Sequence, residues 1–243
     1  MRTLTVLGSC GAWPEAGRAC AGFLLEYDGF KVVLDLGYAT LPRLLEHCPD
    51  GEVDAVVVTH EHPDHCVDVS ALARVRHYQA PSAAPVPLYC TPGVLPVLRA
   101  LEPSPDPATV FDVRDLAEAR EIGPFRLESV LLPHYKTNLG VRLSAPGLTV
   151  SYTGDSGPSP ELAVLAEDAD LFICDATHQE PPAEGPRFLM TAREAGTAAA
   201  GARRLLLTHF WPGSDRALSV AQARENFAGE VIAAEEGLVL DLA

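Results

Sequence analysis

Lysine is nearly missing from this chain of 243 residues. Only Lys31 and Lys136 occur, and Lys and Arg together number 18 against 33 Asp and Glu, a formal charge of −15. A surface made to grip nucleic-acid backbone draws its affinity from Lys and Arg at the phosphates, so long nucleic acid is not an expected partner. Long apolar runs are absent too: none reaches the roughly 18 residues that a membrane-spanning helix needs. No export signal is legible, because Met1 to Gly8 carries one charge and then alternates like a strand, without the apolar stretch and small-residue cleavage site of a signal peptide. The 6 cysteines (Cys10, Cys20, Cys48, Cys66, Cys90 and Cys174) include no C-x-x-C pair. Without an export signal they read as reduced, mostly buried thiols in a cytoplasmic protein and not as a disulfide framework.

What is present is ordinary globular material. Hydrophobic residues make up 47% of the chain, enough for one large core or two small ones. Strands are expected at 2–7, 21–27 and 30–36, with Asp28-Gly29 between the last two as a hairpin turn. A short helix at 41–48, a buried strand at 53–59 and a helix at 67–78 follow. Residues 81–109 are proline-rich, with a strand at 86–90 and a helix at 94–101. The second half opens with strands at 119–122, 125–132, 139–144 and 148–153. Helices and strands then alternate from 160 to 241. No linker or low-complexity tract divides the chain, so residues 1–243 read as a single domain. Strands followed by helices in both halves suit an α/β class, with two mixed sheets face to face and helices outside, an αβ/βα four-layer sandwich.

The chemistry is concentrated in one hexapeptide. Of 8 histidines, three stand in His60-Glu61-His62-Pro63-Asp64-His65. A chain of this composition would produce that H-x-H-x-D-H pattern by chance about once in two thousand. Residues i and i+2 of extended chain point the same way, so His60 and His62 can reach one metal ion, while Pro63 is expected to block helix at that point. Asp64 and His65, at the entry to the next helix, can face a second ion. Three imidazoles and a carboxylate suit Zn2+, with Mn2+ and Fe2+ also acceptable. Further ligands are expected where apolar strands stop: His134 after Leu132-Pro133, Asp155 after Thr153-Gly154, and His209 after Leu207-Thr208. Each taken alone reads as a surface histidine or a capping carboxylate. The hexapeptide is what makes them a set. His47 and His77 fall on expected helices and read as surface residues.

These residues, in this order, resemble the metallo-β-lactamase fold superfamily over nearly the whole chain: Leu7-Gly8-Ser9, Asp35, His60 to His65, His134, Gly154-Asp155-Ser156 and Thr208-His209. The resemblance implies one metal held by His60, His62 and His134 and a second held by Asp64, His65 and His209, with Asp155 bridging both. It implies that Asp35 steadies the histidine loop. The Leu-Gly-Ser-x-Gly opening and Cys174-Asp175-Ala176-Thr177 are most similar to the ribonuclease Z-like branch, which includes small phosphodiesterases. Homodimers are common there, which makes a homodimer an expectation by resemblance alone.

One departure matters. The branch usually carries a histidine just before the Thr or Ser that opens the helix leading to the last ligand. Here Leu189 occupies that place, ahead of Thr191. The basic arm that grips transfer RNA is also missing, which argues against transfer-RNA processing. His178 can fold back to replace the lost histidine, or is a loop residue. Tyr135, Lys136 and Asn138, directly after His134, are candidates to line the substrate pocket, with Lys136 facing an anion. The expected activity is a phosphodiesterase on small nucleotide-like substrates such as cyclic nucleotides. A metal-bridging hydroxide would attack, Asp155 and Asp64 would be the catalytic carboxylates, and water, Asp175 or His178 would protonate the leaving group. A hydrolase of a lactone, a thioester or another biosynthetic intermediate is the alternative, since such leaving groups need little protonation. A non-hydrolytic metal-binding relative is the third reading.

Overall fold

The computed structural model describes residues 1–243. The first half holds β1 (Arg2–Gly8), β2 (Gly22–Tyr27), β3 (Phe30–Leu36), α1 (Leu41–His47), β4 (Ala55–Val58), α2 (Pro63–Gln79), β5 (Val86–Cys90), α3 (Val94–Leu101) and β6 (Phe111–Asp115). The second half holds β7 (Glu121–Ile122), β8 (Phe125–Leu132), β9 (Asn138–Ala145), β10 (Leu148–Tyr152), α4 (Leu162–Ala166), β11 (Leu171–Asp175), α5 (Ala192–Ala198), β12 (Arg204–Thr208), α6 (Arg216–Arg224), β13 (Glu230–Ala233) and β14 (Val239–Asp241). They form two seven-stranded sheets, ordered β14-β1-β2-β3-β4-β5-β6 and β13-β12-β11-β10-β9-β8-β7.

Period-2 alternation sends each strand's side chains to two cores. Val32 and Leu34 of β3, Ala55 and Val57 of β4, and Leu206 of β12 join Phe23, Phe125 and Tyr152 between the sheets. Val33, Val56 and Val58 face the other way, onto Leu44, Val69, Leu72 and Leu98 of the first three helices. Leu205 and Leu207 face Leu162, Ala195 and Ala223 of the last three. Strands such as Leu171–Asp175 are buried at every residue, which is why they read as unbroken apolar runs. The four-layer sandwich follows from these three cores.

The Asp28-Gly29 turn closes the β2–β3 hairpin, with both residues at positive φ (50° and 95°), as a type I′ turn requires. Three expectations need correction. Pro63 does not block helix; it is the first residue of α2, after His62 in extended conformation. A proline costs nothing there, because the first helical N–H has no partner to lose. Residues 111–115 form β6, an edge strand hidden from a reading that expected no strand between 101 and 119. Its register against β5 is nonetheless regular, and Phe111 and Val113 alternate with exposed charges. Near it, the strand expected at 119–122 is confined to Glu121–Ile122.

β3 to β6 run parallel to one another, and so do β10 to β13. Ligands collect at the carboxyl ends of such strands, and in both sheets the chemistry-bearing residues lie there.

Candidate metal centre

His60 and His62 lie between β4 and α2, His134 follows β8, Asp155 follows β10 and His209 follows β12; Asp64 and His65 stand in the first turn of α2. The structure brings all seven into two groups of four, with donor atoms within 4.8 Å of one another. In the first, His62 Nδ1 lies 3.0 Å from both His60 Nε2 and His134 Nε2. Asp155 Oδ2 lies 3.8 Å and 3.5 Å from those two Nε2 atoms. In the second, Asp155 Oδ1 lies 3.0 Å from His65 Nε2 and 3.1 Å from His209 Nε2. Asp64 Oδ2 lies 3.8 Å and 3.3 Å from the same atoms. Asp155 therefore gives one oxygen to each group. Ligands about 2.0–2.1 Å from a tetrahedral ion stand about 3.3 Å apart, so both clusters have the right span.

The rings are also held in the right orientation. Asp35, fully buried, accepts from His65 Nδ1 (2.7 Å), the Thr59 amide, the Thr59 hydroxyl and the Tyr152 hydroxyl. Because the Thr59 hydroxyl proton goes to Asp35, its oxygen receives the Nδ1–H of His60 at 3.1 Å. The same construction holds His209: the Thr177 hydroxyl donates to Asp175 (2.6 Å) and accepts from His209 Nδ1 (2.7 Å). His134 Nδ1 donates to the backbone carbonyl of Phe188 at 3.1 Å. Four of the five rings thus donate from the outer nitrogen and aim Nε2 inward, the nitrogen a metal ligand needs. His65 Nε2 and Asp155 Oδ1 are buried without a hydrogen-bond partner, although they lie 3.0 Å apart. Such buried orphans are expensive unless something occupies the space between them. This donor set fits divalent metal.

Charge is partitioned between the groups. Burial lowers the pKa of His60, His62 and His134, so these rings stay neutral. Burial works against charge on His65 and His209 as well, but the facing Asp155 outweighs it, together with Asp35 and Asp64 at His65 and with Asp64 and Asp175 at His209; His209 reaches about 9. Burial would raise Asp64, yet His65 and His209 hold its carboxyl below the usual range.

Backbone geometry completes the site. His209 has φ 57°, a left-handed conformation that costs a non-glycine residue energy and gathers at functional sites. Gly11 passes so close beneath it that a Cβ there would lie 2.7 Å from the imidazole. The next residue, Ala12, donates its amide to Asp64 Oδ2 at 2.7 Å; only the structure reveals that contact, since a backbone N–H leaves no residue signature.

The other sequence candidates separate. Asn138 does not line a pocket: it is fully buried, and its amide donates to the carbonyls of Thr153 and Asp155. It braces the loop that carries Asp155, because β9 begins at this residue and pairs beside β10. Asp175 is equally out of reach as a proton donor to substrate, because four donors, from Ser156, Thr177 (two) and Met190, occupy its carboxylate. Tyr135 is exposed, and Lys136 lies 3.7 Å from Glu61. Both line a cavity of ≈ 540 Å³ that His134 also borders. His178 is half-buried, its backbone bridged to Thr191, and lines an adjoining cavity with Leu189.

Comparison with known proteins agrees with this geometry. The family model described as "Beta-lactamase superfamily domain" matches residues 18–210. The chain is 32% identical over 251 residues to an uncharacterized protein, ML1173, of Mycobacterium leprae, covering 98% of this chain and 88% of that one. It is 29% identical over 262 residues to ribonuclease Z of Kineococcus radiotolerans, covering 86% and 83%. The crystal structure of the metallo-beta-lactamase fold protein YhfI of Bacillus subtilis superposes with a TM-score of 0.88 at 27% identity, over 98% of each chain. No helix is long and apolar enough to cross a membrane. With its histidines and carboxylates gathered at the carboxyl ends of two facing sheets, the chain belongs to the beta-lactamase superfamily, among its metallo-hydrolases.

Proposed function

We propose that the protein is a dinuclear metal-dependent phosphodiesterase acting on small nucleotide-like substrates. The observation that carries this reading is Asp155, whose two oxygens each face a separate set of inward-turned imidazole nitrogens. His60, His62 and His134 would hold one ion, Asp64, His65 and His209 the other. Two divalent ions, preferably Zn2+, supply Lewis-acid charge and a water acidified toward neutral pH.

The chain's own residues do the rest. Asp35 and Thr59 fix two rings and Thr177 fixes a third, so the donors need no reorganisation. Lys136, at the mouth of the cavity that His134 borders, steers an anionic group inward. The acidic surface discourages long polyanions, which favours a small substrate. Leu189 can donate no proton to a leaving oxygen, and Asp175 is sealed. That leaves water, or His178, the histidine outside the metal groups that lines the adjoining cavity, to deliver that proton. A relative named ribonuclease Z supports phosphodiester chemistry.

The test is turnover of bis-p-nitrophenyl phosphate and of 3′,5′-cyclic nucleotides by protein loaded with zinc or manganese. Phosphodiester turnover that disappears on chelation and in Asp155→Ala is expected. No turnover with either metal overturns the reading. Turnover of lactones or thioesters instead would establish the second reading, which Leu189 favours because an acyl leaving group needs little protonation.

A further inference from the structure

We propose that the cavity between Tyr135, Phe188 and Trp211, beside the metal centre, is a stacking seat for a planar aromatic ring, the nucleobase of the substrate. The seat deepens the phosphodiesterase reading and rests on it for the identity of the ring, though not for the seat's existence.

The cavity measures ≈ 470 Å³ and is lined by Tyr135, His178, Phe188, Leu189 and Trp211 among others, within the range of about 300–1,000 Å³ typical of small-molecule sites. Its aromatic walls come from three different loops, each anchored at the metal groups. Tyr135 follows His134. Trp211 stands two residues after His209. Phe188 offers its carbonyl to His134 Nδ1 while its ring packs on Tyr135, with centroids 4.4 Å apart. A fourth loop supports the far wall: Trp13 meets Trp211 edge-on at 4.9 Å, and its neighbour Ala12 donates to Asp64. A group held here therefore sits next to whatever the metal groups hold.

These aromatics are exposed, Tyr135 by 66%, Trp13 by 47% and Trp211 by 43%. Large apolar side chains gathered at a cavity mouth mark a binding surface. The chemistry of the lining selects the ligand. No lysine or arginine lines the cavity, and nearby Arg187 is spent on Glu194 at 2.7 Å. Glu184 adds a negative rim. The cavity therefore disfavours a phosphate and suits a neutral π-face. Leu189, which replaces the histidine of the related branch, provides apolar floor for that ring. Lys136 lies in the neighbouring cavity, across the Tyr135–Phe188 wall. The ring seat and the cation that faces an anionic group thus occupy two adjoining cavities that share Tyr135 and Phe188.

Both tryptophans of the chain (2 in all) stand at this seat, so intrinsic fluorescence reports on it alone. Adenosine titrated into the metal-loaded protein, with excitation at the red edge, is expected to quench tryptophan emission saturably, and ribose 5-phosphate is not. Trp211→Ala, with Trp13 still reporting and the fold checked by circular dichroism, should weaken adenosine roughly 5- to 100-fold. Trp211→Phe should restore most of the affinity, and Tyr135→Ala should weaken it independently. Absence of saturable quenching in the wild type, or equal affinity in Trp211→Ala, overturns the seat. Adenosine binding without phosphodiester turnover would retain the seat and discard the proposed reaction; turnover without adenosine binding would do the reverse.

Discussion

Asp35 accepts four hydrogen bonds at the bottom of the site, and two metal-facing imidazoles depend on it, one directly and one through Thr59. Asp35→Ala would leave buried donors unpaired and cost roughly 3 kcal/mol or more of stability, measurable by urea denaturation. Thr177→Val keeps the shape but frees His209, and should lower metal affinity by about 10- to 100-fold, measured by competition with a chelating dye. Protonation adds a sign that can be checked in chelator-treated protein. His209 is raised from about 6.5 to about 9 in the fold, where burial is outweighed by Asp155, Asp64 and Asp175. Its proton stabilises the metal-free fold fully below the unfolded value, and that stabilisation is lost as pH rises through 9. Between those limits the melting temperature of the metal-free protein should fall, and the metal-loaded protein, which has displaced that proton, should lack this trend. A melting temperature that rises over this range in the metal-free protein would refute the assignment.

At the scale of the element, α5 begins with a capping box. Thr191 accepts from the Glu194 amide and Glu194 reaches back to the Thr191 amide. Thr191→Ala should cost about 1 kcal/mol, read as a lowered urea midpoint with an unchanged slope. Elements differ in how openly the sequence announces them. The β2–β3 hairpin was legible from its Asp-Gly turn and the buried parallel strands, such as β4 and β11, from their short unbroken apolar runs, because these are local signals. The start of α2 was not, since Pro63 suits the first helical position as well as it suits a break. β6 was missed because its edge position leaves charged residues on an otherwise apolar alternation. The hexapeptide of histidines was legible for the same local reason. Its supports were not: the Ala12 amide and the Phe188 carbonyl are backbone groups, and Asn138 looks like a pocket residue until its burial is seen.

For the whole molecule, all six thiols are buried, each within one of the sheet and helix layers or the loops pinned between them. Burial raises Cys20, Cys66 and Cys174, and pushes Cys90 up to about 12. A thiol held neutral and covered is a poor nucleophile, so the native protein should be silent to Ellman's reagent at neutral pH and release six equivalents once unfolded. Fast labelling of any cysteine before unfolding would mean that a layer opens.

The hydrogen bond from His134 ends on a main-chain oxygen, and this has a consequence for how such a site can diversify. Any side chain at position 188 presents the same carbonyl, so the wall of the cavity can be rewritten by mutation while the imidazole behind it stays held. The residue that shapes what enters and the atom that steadies the reaction centre share one peptide unit but answer to different constraints. A lineage could therefore trade Phe188 for another apolar or polar residue, shift its choice of substrate, and keep its metal chemistry through every intermediate step.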